Sequence, residues 1–173
     1  RSITWISPWM TALCAVEKCA YARRIEREAL AQDPVFVVGH WRSGTTLLHN
    51  LLTQDPQFGY VSLFQTLAPG AFLIGRRTLQ PLLALRAPNT RPMDNVPIRM
   101  SYPSEEEFAL VHQCTQSAYL GWYFPNDWPE LFSKFALMQG MSDDDWREWR
   151  AAYRDLLIKA SIHFSGRRLV LKN

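Results

Sequence analysis

With 173 residues and 47% apolar side chains, the chain can bury one core and has the composition of an ordinary globular domain. A net charge of +3 is compatible with anionic ligands but far from the concentrated basic face of a nucleic-acid binder, so no nucleic-acid partner is expected. Cys14, Cys19 and Cys114 are an odd set without C-x-x-C spacing, and His40, His49, His112 and His163 show no H-E-x-x-H pattern. This argues against a disulfide framework or a metal site and for a reducing, cytoplasmic location.

Residues 1–33 read as an N-terminal helical segment. Residues 2–16 are uncharged, include Trp5 and Trp9, and precede Lys18, Arg23 and Arg24, an order compatible with a membrane anchor or interfacial helix. The stretch falls short of the ~20 apolar residues of a span, and Pro8 interrupts it. Trp9, Leu13, Val16 and Ala20 form a helical stripe, which favours a helix packed on a core over membrane contact.

Residues 34–173 read as an α/β domain. Val35, Phe36, Val37 and Val38 suit a central strand of a parallel sheet, buried on both faces. Gly39 and Gly44 bound a tight loop, and Leu47, Leu48, Leu51 and Leu52 then recur at helical spacing, which puts Thr45 and Thr46 in the first helical turn. Unpaired amides there, with the helix dipole, favour a bound phosphate or sulfate, and Arg42 adds a fork of donors in mid-loop. The frame is that of a triphosphatase loop, G-x-x-x-x-G-K-[ST], with Thr45 in place of the lysine. A triphosphatase also wants a strand-end aspartate for magnesium, whereas the next good strand, 168–171, runs into Lys172. Fixed cations without metal ligands suit an anionic group transferred without a metal.

Between these strands, residues 59–64 read as a second strand and 72–85 as helix with Arg76 and Arg77 solvated. Residues 87–104 have no period and read as a long loop of the kind that carries substrate contacts. Ser104 and Glu107 form a capping-box pattern before Phe108, Leu110 and Val111, and Asn126, Asp127 and Pro129 mark another helix entry. Ser142, followed by three aspartates, opens the clearest helix, with Trp146, Trp149, Tyr153, Leu156, Leu157 and Ala160 on one face. With no internal repeat, the economical fold is a P-loop-like parallel β-sheet flanked by helices in three α/β/α layers.

The segment PVFVVGHWRSGTTLLHNLL resembles the 5′-phosphosulfate-binding loop of sulfotransferases that use 3′-phosphoadenosine 5′-phosphosulfate (PAPS), and most of all the bacterial branch akin to tyrosylprotein sulfotransferases. RLVLKN, residues 168–173, resembles that family's later strand ending in Lys, and RPMDNVPIRMSYPSEEEFAL is a weaker likeness to the same branch. The resemblance implies in-line transfer of a sulfuryl group from PAPS to a hydroxyl or amine of a small-molecule or peptide acceptor. Donor contacts would come from Arg42, Ser43, Gly44, Thr45 and Thr46, and Lys172 would return to the same anion. Alternatives are a P-loop nucleotide kinase or triphosphatase and a non-catalytic nucleotide-binding member. The family's catalytic glutamate after the second strand has no counterpart in YVSLFQTLAPG, so the base candidates are Glu105 and Glu107 within the run 105–107, then His112, with Asp94 less specific. The chain stops on Asn173 directly after a buried-looking strand. The domain is accordingly expected to be incomplete at its C-terminus, with the grip on the donor's 3′-phosphate beyond Asn173 and the fragment inactive alone.

Overall fold

The computed structural model describes residues 3–40, 43–90 and 97–172. Its organising element is β3 (Arg168–Lys172), which lies between β1 (Val35–Val37) and β2 (Phe58–Gly59) and is parallel to both. Val35, Phe36 and Val37 pair with Val170, Leu171 and Lys172, while Phe58 and Gly59 pair with Arg168 and Leu169. Because all three strands point the same way, the segments that follow β1 and β2 leave from the edge of the sheet at which Lys172 stands.

Position in the sheet differs from the expectation for residues 35–38. β3 is the central strand, with Leu169, Val170 and Leu171 each at most 1% exposed. β1 borders the described sheet and ends at Val37, leaving Phe36 51% and Val38 81% exposed. An apolar run reports a strand with a buried face, but which strand becomes central depends on pairing across more than a hundred residues of chain.

Leu169 and Leu171 project from one face of β3 into a core shared with Leu156, Leu157 and Ala160 of α8 (Asp143–His163) and with Phe64 and Phe72. Val170 faces the other way and is equally buried, and α2 (Thr45–Leu52) packs against β1 and β3. The result is an α/β fold with helices laid against a small parallel sheet. α8 begins as the sequence suggests. Ser142 Oγ accepts from the Asp145 amide at 3.1 Å, and Asp145 returns the bond to the Ser142 amide at 3.0 Å.

The second strand, β2, is only two residues long, and three residues beyond it Ser62 starts a helix. Its hydroxyl accepts from the Gln65 amide at 3.3 Å and Gln65 Oε1 accepts from the Ser62 amide at 2.9 Å, a reciprocal cap that opens α3 (Leu63–Leu67) where strand was expected. Helix over 72–85 is also divided, into α4 (Phe72–Gly75) and α5 (Leu79–Ala84). Pro81 has no amide hydrogen to donate and falls in the first turn of α5, where no helical bond is lost.

The Ser104–Glu107 capping box does not form. Residues 100–104 are stitched instead to 61–64, with Met100 O accepting from the Phe64 amide, Tyr102 O from Leu63, and the Ser104 amide donating to Val61 O, all at 2.8–2.9 Å. The helix therefore starts later, as α6 (Glu107–Leu110), and the three glutamates do not share a first turn. Downstream, α7 (Trp128–Leu131) follows Asp127 as read from the sequence.

α1 (Ile3–Arg27) packs by a different face from the predicted stripe. Trp9 and Val16 are 74% and 57% exposed, whereas Met10 meets the core, Cys14 lies against Gly70 and Glu17 is buried. Glu17 pairs with Lys159 of α8, and its Oε2 accepts from the amides of Leu73 and Ile74 at 2.7 and 3.1 Å. A polar anchor, invisible to a hydrophobicity pattern, decides the rotation of this helix. Among the described residues no helix is long and apolar enough to cross a membrane.

Candidate functional site

Between β1 and α2, the described residues are 38–40, 43 and 44. Ser43 folds back on His40, its amide donating to the His40 carbonyl at 3.1 Å and its hydroxyl at 2.6 Å. Gly44 then takes φ +90°, a left-handed conformation costly for other residues, and its carbonyl accepts the first helical bond from Leu48 at 3.0 Å. Gly39 is required for space: a Cβ there would sit 2.7 Å from Thr45 Cγ2 and 2.9 Å from Ser43 Oγ. Thr45 and Thr46 open the helix, so their amides belong to the first turn, where no carbonyl within the helix can accept from them. Arg42, Asp94 and Asn173 lie outside the described residues.

The helix is fixed to the sheet by a residue that pattern reading passed over. His49, 2% exposed in a row of leucines, bonds through Nε2 to the Val170 carbonyl at 3.0 Å. Burial holds its imidazole below the usual range, with the Lys172 charge acting the same way, so the ring is neutral and its Nε2–H donates. By contrast Leu47, Leu48 and Leu51 are 49–64% exposed. A histidine between apolar neighbours at helical spacing was the available signal.

Lys172 is held from two sides. Its amide donates to Glu106 Oε2 at 3.2 Å, and its ammonium is ion-paired with Glu105 Oε1. Glu105 Oε2 accepts from the Tyr119 hydroxyl at 2.6 Å. Burial, then the bond to Glu105, pushes the Tyr119 phenol far above its ordinary value, so it remains a donor. Tyr119 stacks on Trp122 with ring centroids 5.4 Å apart and meets the Phe108 ring edge-on at 4.9 Å.

The three consecutive glutamates thus have three different environments. Glu106, 1% exposed, also accepts from the Tyr153 hydroxyl at 3.2 Å, and burial raises its carboxyl above the usual range. Glu107 is buried in α6 and accepts from Ser117 Oγ at 2.5 Å, and Ser117 Oγ in turn accepts from the Tyr119 amide at 3.2 Å. Of the described candidate bases, Glu105 is the one whose carboxylate is paired with the Lys172 ammonium. His112 bonds through Nδ1 to the Thr66 carbonyl at 2.9 Å, at the end of α3. Tyr119 and Ser117 carried no sequence signal, since their value lies in what the fold brings beside Glu105 and Glu107. Among the described residues no cluster of three or more His, Cys, Asp or Glu side chains could hold a metal ion.

Comparison with known proteins gives these features a context. Residues 34–130 match the model of the sulfotransferase family. The omega-hydroxy-beta-dihydromenaquinone-9 sulfotransferases Stf3 of Mycobacterium bovis and Mycobacterium tuberculosis are each 31% identical over 172 residues, a match covering 98% of this chain and 43% of the relative. The chain therefore spans less than half the length of these curated relatives. The crystal structure of sulfotransferase STF1 from Mycobacterium tuberculosis aligns at 17% identity with a TM-score of 0.49, over 93% of this chain and 44% of that one. The finer likeness to tyrosylprotein sulfotransferases finds no support in these relatives. With the family model running from just before β1, through the loop and the glutamate run, to Glu130, and covering more than half of the chain, this protein belongs to the sulfotransferase family.

Proposed function

We propose that the protein carrying this chain transfers a sulfuryl group from PAPS to the hydroxyl of a small-molecule acceptor. The observation that carries the reading is the contact between Lys172, at the end of the central strand, and Glu105: a cation and a carboxylate side by side at the edge from which the loop at 38–44 departs. The donor set suits an anion of this kind, since it comprises first-turn amides at Thr45 and Thr46 and the Lys172 ammonium.

Bound PAPS would supply the sulfuryl group and a bisphosphate leaving group. The amides of Gly44, Thr45 and Thr46 hold the 5′-phosphate end, with Arg42 as a further donor by its position in the loop. Lys172 neutralises negative charge that builds on the oxygen bridging sulfur and phosphate as that bond breaks. Glu105 accepts the proton of the attacking hydroxyl while the new sulfur–oxygen bond forms. Glu105 is preferred to Glu107 as base because it touches Lys172, whereas Glu107 is buried against Ser117. The acceptor named for the Stf3 relatives, an omega-hydroxylated dihydromenaquinone, is the first candidate for this chain as well.

The test is transfer of labelled sulfuryl from PAPS to omega-hydroxy-beta-dihydromenaquinone-9 by the full-length protein, with and without EDTA. Transfer that survives EDTA and falls by ~10²–10³ in Lys172→Ala is the expected result. No transfer, or magnesium-dependent turnover of ATP in its place, would overturn the proposal.

A further inference from the structure

Glu105 uses its two carboxylate oxygens for different partners, Oε1 for the Lys172 ammonium and Oε2 for the Tyr119 hydroxyl. If the anionic donor engages Lys172, the first of these contacts is the one exchanged, and the second is untouched. We propose that Tyr119 is a positioning residue of the transfer site: its hydroxyl keeps hold of Glu105 Oε2, so that Oε1, once Lys172 turns to the donor, faces the acceptor hydroxyl and takes its proton. The inference rests on the reading of Glu105 as base.

Three restraints suit Tyr119 to that task. Its amide is bonded to Ser117 Oγ, which is itself tied to Glu107 of α6, so the segment bearing the tyrosine is locked to the helix that follows Glu105. Its ring is held in a cluster with Trp122, nearly parallel at 20°, and Phe108, edge-on at 68°, which also touch each other. The hydroxyl is held as a donor by burial and by the carboxylate it serves. A carboxylate released by its cation would otherwise rotate through several orientations, and one fixed hydrogen bond removes that freedom without consuming the oxygen that reacts.

The experiment compares Tyr119→Phe, Glu105→Gln and the double variant in the full-length protein, with PAPS as donor and omega-hydroxy-beta-dihydromenaquinone-9 as acceptor. Tyr119→Phe keeps the ring and its stacking. The expected result is a fall in kcat of about 10-fold to 100-fold with unchanged affinity for the 3′,5′-bisphosphate product. The acidic limb of the rate profile should move up by roughly one pH unit, because the charged carboxylate has lost a donor. The double variant should be no slower than Glu105→Gln alone, since Tyr119 acts through that residue. An unmoved acidic limb, or additive losses in the double variant, would overturn the role of Tyr119 while an inactive Glu105→Gln left the base in place. Full activity in Glu105→Gln would overturn the base and the positioning role together.

Discussion

Glu17 of α1 and Lys159 of α8 form a buried ion pair, their side chains 1% and 4% exposed, with Lys159 Nζ also donating to the Pro69 carbonyl at 2.5 Å and stacked over the Phe72 ring at 4.9 Å. The pair joins the N-terminal helix to the core and caps the start of α4 through the Leu73 and Ile74 amides. Removing one partner leaves an uncompensated buried charge. Lys159→Met should therefore cost about 3–5 kcal/mol in urea unfolding, and Glu17→Leu added to it should recover part of that loss. Equal stability of all three proteins would show that α1 is held by its apolar contacts alone.

Single glutamine substitutions should separate the three neighbouring glutamates. Glu105→Gln is expected to depress turnover with little change in melting, because its carboxylate is the one paired with the Lys172 ammonium. Glu106→Gln should lower stability by about 1–3 kcal/mol, since one of its two accepting oxygens becomes a donor facing the Lys172 amide or the Tyr153 hydroxyl. Glu107→Gln can still accept from Ser117 and should cost roughly 0.5–1.5 kcal/mol. Turnover assays beside thermal melts read both effects, and uniform behaviour of the three would contradict this division.

Under the proposed function, Arg42→Ala should reduce sulfuryl transfer by ~10²–10³, the typical cost of removing one preorganised donor from a transferring anion. Steady-state rates of the full-length protein measure this. Activity within a factor of a few of the parent would remove Arg42 from the chemistry.

Stability should fall as pH drops from 6.5 toward 4 through His163. Burial, reinforced by the Arg76 charge, lowers its imidazole from 6.5 to about 4, with the rings of Phe72 and Phe164 against it. In that window the unfolded chain takes up a proton that the folded chain resists, so protonation favours unfolding. His49, lowered by burial, acts in the same direction, whereas Glu106 and Asp155, both raised chiefly by burial, act in the opposite one. The difference between parent and His163→Gln in urea midpoints from pH 7.5 to 4.5 isolates the contribution, and parallel curves would refute it.

The glycine turn into α2, the long helix after Ser142 and the strand ending in Lys172 were legible in the sequence because each is encoded locally, by a left-handed glycine, a capping box, and a short apolar run closed by a charge. The same local rules misplaced the end of β2 and the start of α6, where the Ser62–Gln65 cap and the ladder between 61–64 and 100–104 overrode periodicity. That β3 rather than β1 is central, that α1 turns Glu17 inward, and that Glu105 rather than its neighbours pairs with the Lys172 ammonium were decided only by tertiary structure. Each depends on pairing between residues 67 to 142 positions apart. The energy of such a contact belongs to two distant segments at once, so neither segment alone carries its signature.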